Sequence, residues 1–237
     1  MANSQTGNNA APLRLFTSNS MRGVLGQLVP EFERSSGRSL NVSFDPAKIM
    51  LRRIAEGESA DVAILSKGAI DALADDGKID GDSRRTLARC GIGVAVRAGA
   101  PKPDISSVDA FKRALLEAKS IAHTREGASG MYFSTLIERL GIADEVKAKA
   151  RTQAGGLVAE LITSGEAELA VQQVPELMAV PGVDLVGPLP QQVQNISIVT
   201  AGIFRNAAQP DAARQFLEFL ATHASARVFR AKGLEPS

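Results

Sequence analysis

Short apolar segments alternate with amphipathic helical patterns along most of this chain, and this alternation is the feature that most restricts its fold. Residues 61–65, Asp-Val-Ala-Ile-Leu, form the nearly continuous apolar run that is typical of a strand buried on both faces. Further strands are predicted at 13–16 and 40–44, and a helical pattern follows each of the three. Strands separated by helices in this way indicate a parallel sheet that is covered on both sides.

A second α/β unit begins after residues 98–103, where glycine and proline interrupt the pattern. The apolar run at 193–204 is long enough to pass from this second unit back into the first. The other predicted elements are strands at 91–96, 120–123 and 168–172, helices opened by Ser107 and Ser129, a helix that carries Leu157 to Ile162, and terminal helices at about 210–221 and 224–232.

Charge and aromatic content exclude several classes of function. Lys and Arg total 27 against 26 for Asp and Glu, so the net charge of +1 lacks the basic excess of a dedicated nucleic-acid binder. The chain has no Trp and one Tyr, which leaves little for stacking on nucleobases. No apolar run reaches the roughly 18 residues of a membrane span, so membrane insertion is not expected.

Few residues are available for metal or cofactor chemistry. Cys90 is the single cysteine, and the two histidines, His123 and His223, lie far apart, so no zinc cluster is predicted. The chain has neither a Gly-x-Ser-x-Gly elbow nor a His-Glu-x-x-His motif. We therefore expect no metal, no organic cofactor and no internal disulfide.

The N-terminal residues, Met-Ala-Asn-Ser-Gln-Thr-Gly, contain neither a basic region nor an apolar region, so they do not predict a signal peptide. Residues 1–11 are small and polar, and we expect them to be poorly ordered. Two locations fit this N-terminus: the periplasm, for a protein whose leader is absent from the chain, or the cytoplasm.

The first candidate ligand loop is Thr17-Ser18-Asn19-Ser20. Ligands of open parallel sheets bind beyond the carboxyl ends of the strands, where helix N-termini converge, and this loop lies at such a junction. Its three hydroxyls and one amide, placed before a long helix, suit an anion. Ordinary N-capping of that helix is the competing interpretation.

Weaker candidates follow other strands. Ala47 and Lys48 lie at the next strand-to-helix junction, and Ser66 follows the buried strand. Gln172 and Gln173 end a strand on the opposite side, where their amides can bind a polar ligand or simply complete the loop.

The segment from His123 to Met131 is the most distinctive candidate. Arg125 suits bidentate recognition of a carboxylate, although a salt bridge with its neighbours is the alternative. Ser129 and Gly130 would offer a hydroxyl and a close backbone approach to the ligand. His123 at a strand end is more often a structural residue than a catalytic base.

These loops, with several segments elsewhere, resemble the type II periplasmic solute-binding proteins, and within them the branch that contains the molybdate-binding protein. The resemblance covers residues 13–235. Besides the loop at 17–20, the segments that carry it are Ala-Asp-Val-Ala-Ile-Leu-Ser at 60–66, Asp-Asp-Gly-Lys-Ile at 75–79, Gly-Ala-Ser-Gly at 127–130, Ser-Gly-Glu-Ala-Glu at 164–168 and Ala-Lys-Gly-Leu at 231–234.

The resemblance implies a monomer of two α/β lobes, each with a mixed, mostly parallel sheet flanked by helices. Two crossover strands, expected at 94–97 and 194–198, would join the lobes, and hinge closure would enclose a ligand in the cleft. Lobe one would comprise residues 1–95 and 199–237, and lobe two residues 96–198.

The chain also departs from the molybdate binders. Those proteins hold a tetrahedral oxyanion with neutral hydroxyls and backbone amides, including a Tyr on the second lobe, whereas Gln172 and Gln173 stand in that region here. Arg125 adds a charged planar donor, which favours a carboxylate-bearing organic anion over molybdate.

Two functions of different classes fit these expectations. The first is a binding protein that delivers a small organic anion to the membrane component of an ABC importer. The second is an isomerase, because the same branch includes aconitate isomerase; it would shift a proton in a small polycarboxylate, with His123 or Lys48 as the available base. A cytoplasmic ligand sensor is a third interpretation.

Overall fold

The computed structural model describes residues 11–237, which form two α/β lobes built on separate mixed sheets. The expectation of poor order at residues 1–11 falls, apart from Ala11, outside the described residues. Within residues 11–237, no helix combines the length and the apolar character needed to cross a membrane.

Eleven strands are present in the described part of the chain. They are Leu13–Thr17 (β1), Leu40–Phe44 (β2), Val62–Ser66 (β3), Arg85–Cys90 (β4), Ile92–Arg97 (β5), Ile121–Thr124 (β6), Ala150–Gln153 (β7), Leu169–Gln173 (β8), Val183–Pro188 (β9), Ser197–Ile203 (β10) and Glu235–Pro236 (β11). The first sheet has the order β11-β4-β10-β3-β1-β2, and the second has the order β7-β6-β8-β5-β9.

Each sheet combines parallel pairs with a reversed strand that follows a crossing between the lobes, and in the first sheet the short β11 is reversed as well, since it pairs antiparallel with β4. β1 pairs in parallel with β2 and β3, while β10 runs antiparallel to β3 and β4. In the second sheet β6 pairs in parallel with β7 and β8, while β5 runs antiparallel to β8 and β9. The two mixed sheets that the resemblance implies are confirmed.

Ten α-helices connect these strands over residues 11–237. They are Arg22–Ser36 (α1), Ala47–Ala55 (α2), Lys67–Asp75 (α3), Val108–Glu117 (α4), Ala128–Arg139 (α5), Ala143–Ala148 (α6), Glu160–Thr163 (α7), Val174–Met178 (α8), Pro210–Leu220 (α9) and His223–Ala231 (α10). A short 3-10 turn, Asn19–Met21, leads into α1. The helix predicted over Leu157 to Ile162 is reduced to the single turn of α7.

Helices bury both faces of each sheet, because neighbouring side chains of a strand point to opposite sides. Leu15 in β1 packs in one core with α1, α9 and α10, whereas the next residue, Phe16, packs in another with α2 and α3. The second sheet likewise separates a core around Phe133 in α5 from one around Ile162 and Leu177.

The crossings between the sheets differ from the sequence prediction. The chain leaves the first sheet at Gly91, directly between β4 and β5, so Ile92–Ala95 lie in the second sheet rather than in the predicted first lobe. On the return, Ser197 and Ile198 already belong to the first sheet as part of β10. The predicted crossings were placed a few residues too late in the chain because β4 was not predicted as a strand. Its sequence, Arg-Thr-Leu-Ala-Arg-Cys, intersperses charged and apolar residues.

The two crossings are bonded to each other through Gln194. Its side-chain oxygen accepts a 2.8 Å hydrogen bond from the Ile92 backbone nitrogen, and its Nε2 donates to the Ile92 carbonyl oxygen at 2.9 Å. A Cβ atom on Gly91 would lie only 2.9 Å from Gln194 Nε2, so a larger residue at this crossing would require the Gln194 amide to shift.

Candidate functional site

A small enclosed cavity lies between the two sheets, beyond the carboxyl ends of β1, β3, β6 and β8. Its volume of about 40 Å³ holds only a few water-sized groups, so a larger ligand requires the lobes to separate. The lining residues are Ser18, Asn19, Ser20, Pro46, Ala47 and Ser66 from the first lobe, Thr124, Gly127, Ala128, Ser129, Gly156, Gln172, Gln173 and Glu176 from the second, and Ser197, Ile198 and Val199 from β10.

The polar side chains of the loop after β1 are held by hydrogen bonds within the first lobe. The hydroxyl oxygens of Ser18 and Ser20 lie 2.8 Å apart and share a hydrogen bond. Asn19 accepts a 2.9 Å hydrogen bond from Nε of Arg22, whose guanidinium lies 4.4 Å from the centre of the Phe44 ring. This wall of the cavity is therefore fixed in place and presents neutral groups.

Three helices of nine or more residues begin at the cavity. α2 begins at Ala47, α3 begins directly after Ser66, and α5 begins directly after Gly127. The N–H groups in the first turn of a helix have no partner inside that helix, and the helix dipole places partial positive charge there. Because such termini bind anions, the cavity suits a ligand with anionic oxygen atoms.

Gln172 and Gln173 line the cavity, and their amides also hold its walls. Nε2 of Gln172 donates to the Gly156 carbonyl oxygen at 2.7 Å, and its Oε1 accepts from the Val158 nitrogen at 3.0 Å. Nε2 of Gln173 donates to the Ser197 hydroxyl at 2.9 Å, which joins β8 to β10. Much of the hydrogen-bonding capacity of both amides is therefore used by the protein itself.

Glu176 is a site residue that the sequence analysis missed. It lies in the first turn of α8, lines the cavity and is 9% exposed. Burial raises the pKa of Glu176 to about 8, although hydrogen bonds from the Gln173 backbone and the Gln172 side chain, and the charge of Arg22, act to lower it. Among the described lining residues, Glu176 is the one ionisable side chain.

A sequence signal for Glu176 does exist. It is the acidic residue three positions beyond Gln173, in a helix that begins where a central strand ends at the cleft. Pro175 lies in the first turn of this helix, a position to which proline is well suited, so the segment after the two glutamines is helical rather than a loop.

The structure places Arg125 outside the cavity. Its Nη1 donates to both the carbonyl oxygen and the hydroxyl of Thr152, each at 3.0 Å, and the side chain is exposed. Thr124 faces the cavity, and because successive side chains of an extended segment point to opposite sides, the next residue points away from it. A preference for carboxylates therefore cannot be inferred from the charge of Arg125.

His123 also lies outside the cavity lining. Its Nδ1 is 3.0 Å from the Thr124 carbonyl oxygen, and its ring packs edge-on against Phe133 with 5.3 Å between ring centres. Burial lowers the pKa of His123, the bond to Thr124 opposes this, and the Arg125 charge lowers it further. These contacts are those of a packed structural histidine.

The predicted ligand-binding residues thus divide into two groups. Those that the structure brings together at the cavity are Ser18, Asn19, Ser20, Ala47, Ser66, Ser129, Gln172 and Gln173. Those that lie outside its lining, besides Arg125, are Thr17, Lys48, Gly130 and Met131. Lys48 and Met131 are exposed, which argues against Lys48 as a base in the cleft. Within residues 11–237, no three His, Cys, Asp or Glu side chains are grouped so that they could hold a metal ion.

A larger open groove of about 630 Å³ lies at the other end of the second sheet, near the starts of β6 and β8. Two of its basic side chains already bind backbone carbonyls. Arg97 donates to Ile162 and Thr163 at 3.1 and 3.0 Å, and Lys102 donates to Leu185 at 2.9 Å. We therefore assign the site to the smaller cavity, where helix N-termini converge.

Two α/β lobes with a polar cleft between them define the fold of the two-lobed periplasmic binding proteins. The sequence pattern of one such family, the bacterial extracellular solute-binding proteins, matches residues 13–235, and the chain belongs to this family.

Individual relatives differ in what they do. An aconitate isomerase from a Pseudomonas species is 36% identical over an alignment of 230 residues that covers 94% of this chain and 87% of that protein. The periplasmic molybdate-binding protein of Azotobacter vinelandii superposes with a TM-score of 0.79 at 19% identity, covering 94% of this chain and 98% of that one. A sulfate-binding protein of Mycobacterium tuberculosis H37Rv gives 0.74 at 17% identity, covering 96% and 87%. At these identities the two structures show the fold alone.

Proposed function

We propose that this chain isomerises a small polycarboxylate by moving a proton along its carbon skeleton. The observation that carries the proposal is Glu176, a buried carboxyl in the cleft whose pKa is raised to about 8. A group with a pKa near the working pH both accepts and returns a proton efficiently. The Pseudomonas relative that is named aconitate isomerase supports the same class of reaction.

In the proposed reaction, the carboxylate form of Glu176 removes a proton from the methylene carbon of cis-aconitate, next to the double bond. The electron pair spreads over three carbons and into the attached carboxylate groups. Return of the same proton to the far carbon moves the double bond and yields the trans isomer. Substrate and product have the same atoms, so the step consumes no oxidant, reductant or water.

Neutral donors would hold the substrate while the proton moves. The first-turn N–H groups of α2, α3 and α5 face the cavity, and they stabilise the charge that develops on carboxylate oxygens when the proton leaves. We assign ligand binding to Ser18, Asn19, Ser20, Ala47, Ser66, Ser129, Gln172 and Gln173.

Incubation with cis-aconitate, followed by proton NMR of the trans isomer, tests the proposal. The wild type should form trans-aconitate, and Glu176→Gln should lose at least about 100-fold in kcat, which is typical for loss of a general base. Glu160→Gln is the matched control, because Glu160 is an exposed carboxylate in the first turn of α7, and it should keep wild-type activity. An inactive wild type, or a fully active Glu176→Gln, would refute the proposal.

A second candidate function is transport, in which a periplasmic form of the protein delivers a small anion to an ABC importer. The family and the molybdate- and sulfate-binding structural neighbours favour it, as does a lining in which neutral donors surround one carboxyl. Transport predicts tight binding without turnover. A thermal-shift series with molybdate, sulfate, citrate and cis-aconitate, followed by the NMR assay, separates the two functions.

A further inference from the structure

Thr124, the last residue of β6, has a hydroxyl that the protein does not satisfy. The residue is 2% exposed, and its Oγ1 has no hydrogen-bond partner within residues 11–237. A hydroxyl buried in this way costs free energy, because it has exchanged its bonds to water for none. Native proteins rarely keep such a group without a role for it.

The side chain of Thr124 lies in a space that two glycines leave open. A Cβ atom on Gly130 would lie 2.5 Å from Thr124 Oγ1 and closer still to its carbonyl oxygen, and a Cβ atom on Gly127 would also collide with that hydroxyl. Both glycines belong to the start of α5, which begins at the cavity. The hydroxyl is therefore packed beside the helix N-terminus that is suited to an anion.

A second threonine shows that an unpaired hydroxyl alone does not define a site. Thr200 Oγ1 in β10 is likewise buried and without a partner in the described part of the chain, but Thr200 lies outside the cavity lining. Thr124 differs because it lines the cavity. Cavity position and an unmet hydrogen bond are two independent observations, and they coincide at Thr124.

We propose that Thr124 is a specificity-determining residue whose hydroxyl donates a hydrogen bond to an anionic oxygen of the ligand at the N-terminus of α5. This inference rests on the proposed function for the identity of the ligand, a polycarboxylate, but the chemistry is that of any anionic oxygen. Thr124 holds the ligand, and Glu176 on the same lobe moves the proton.

Three variants test this role. Thr124→Val keeps the shape and removes the hydroxyl, Thr124→Ser keeps the hydroxyl, and Thr200→Val removes the other unpaired hydroxyl as a matched control. Calorimetry with cis-aconitate should show Kd raised at least about tenfold for Thr124→Val, and within about threefold of wild type for the other two. KM should rise for Thr124→Val with little change in kcat, because the bond is present before and during proton transfer.

The melting temperature of each ligand-free variant separates binding from folding. Loss of an unpaired hydroxyl should leave the melting temperature of Thr124→Val at or above that of the wild type. If Thr124→Val fails to fold, Thr124→Ala takes its place with the same expected loss of affinity. Wild-type affinity in the valine or alanine variant, or an equal loss in Thr200→Val, would overturn the proposal.

The outcome also distinguishes this inference from the proposed function. If the wild type neither binds nor converts cis-aconitate, the proposed function fails, and the same variants are measured with sulfate and molybdate. A tenfold loss there still supports the role of Thr124, and unchanged affinity overturns it. A wild type that binds none of the three probes overturns both proposals.

Discussion

The two lobes repeat one arrangement of strands, yet the threonines at equivalent strand ends differ in their hydrogen bonding. Apart from β11, the orders β4-β10-β3-β1-β2 and β9-β5-β8-β6-β7 correspond strand by strand. Thr17 at the end of β1 and Thr124 at the end of β6 are therefore equivalent. Thr17 donates a 3.0 Å hydrogen bond to the Ile64 carbonyl oxygen, whereas Thr124 Oγ1 is unpaired within residues 11–237.

The difference extends along both walls of the cleft. In the first lobe, Ser18 bonds to Ser20 and Asn19 bonds to Arg22, so the polar groups are satisfied locally. The second lobe buries an unpaired hydroxyl and the carboxyl of Glu176, and both cost free energy. Buried polar groups that lack a hydrogen-bond partner or have a shifted pKa are typical of functional sites. We infer that the first lobe frames the ligand and the second carries the chemistry.

The largest expected effect concerns Glu176 and the pH dependence of stability. Its folded pKa of about 8 exceeds the ordinary value of 4.5, so between these pH values the folded protein keeps a proton that the unfolded chain releases. Wild-type stability should fall across this window, by up to about 1.4 kcal/mol per pH unit, and this contribution should level off above pH 8. Urea unfolding at several pH values should show that Glu176→Gln lacks this decline.

The Cys90 thiol, on which the charge of Glu176 acts, does not titrate in the same window. Burial, with a smaller effect from the charge of Glu176, raises the pKa of the Cys90 thiol to about 12. Glu160→Gln is again the control and should follow the wild-type slope. Identical slopes in the wild type and Glu176→Gln would mean that the pKa of Glu176 is not raised in the folded protein. The contrast between the two lobes would then rest on Thr124 alone.

An intermediate effect is expected when the two equivalent threonines are compared in the ligand-free protein. Thr17→Val removes the hydrogen bond to Ile64 and should destabilise the fold by about 0.5–1.5 kcal/mol. Thr124→Val exchanges an unpaired hydroxyl for a methyl group of similar size and should be neutral or slightly stabilising. Denaturant unfolding of both variants beside the wild type measures the difference.

Equal destabilisation by the two threonine substitutions would contradict the comparison, because it would show that Thr124 has a hydrogen-bond partner in the ligand-free protein. Thr200→Val provides a further reference, since the Thr200 hydroxyl is unpaired in the described residues but Thr200 is not one of the residues that line the cavity. It should be as close to neutral as Thr124→Val.

Most of the fold follows from sequence patterns because the central strands bury both faces. The apolar runs of β3 and β8 and the stripe of α1 were predicted close to their observed positions. β7 and β9 were not predicted because they are edge strands. An edge strand does not require a run of apolar residues, and β7, Ala-Arg-Thr-Gln, has none. Edge strands are defined by pairing with a distant neighbour, which a local pattern does not contain.

The sequence predicted those lining residues whose positions follow from the ends of strands alone. Ser66 and residues 18–20 line the cavity, and they were predicted because they follow parallel strands at a shared edge of the sheet. The direction of a side chain and its burial depend on tertiary packing, which the sequence pattern lacks. Arg125 was therefore overrated, and Glu176, buried where α8 packs against α1 of the other lobe, was missed.

The smallest expected effect belongs to Arg125→Ala. The guanidinium is exposed and bonds to Thr152 within its own lobe, so water can replace most of what is lost. The substitution should change Kd for cis-aconitate by less than about threefold. It should change stability by less than about 0.5 kcal/mol, as for most surface positions. Calorimetry and urea unfolding measure the two quantities, and Arg125→Lys should be indistinguishable from wild type.

A tenfold or larger loss of affinity in Arg125→Ala would reverse this view of the second lobe. It would mean that the guanidinium leaves Thr152 and reaches the ligand when the lobes move, so that the second lobe binds with a fixed charge as well as a hydroxyl. Partial recovery by Arg125→Lys would then identify the loss as that of a bidentate contact, because a lysine supplies charge without the planar fork. With both variants near wild type, the charge of Arg125 has no part in ligand binding, and the second lobe is left with the N-terminus of α5 and neutral lining side chains, among which we propose Thr124 as the one that determines specificity.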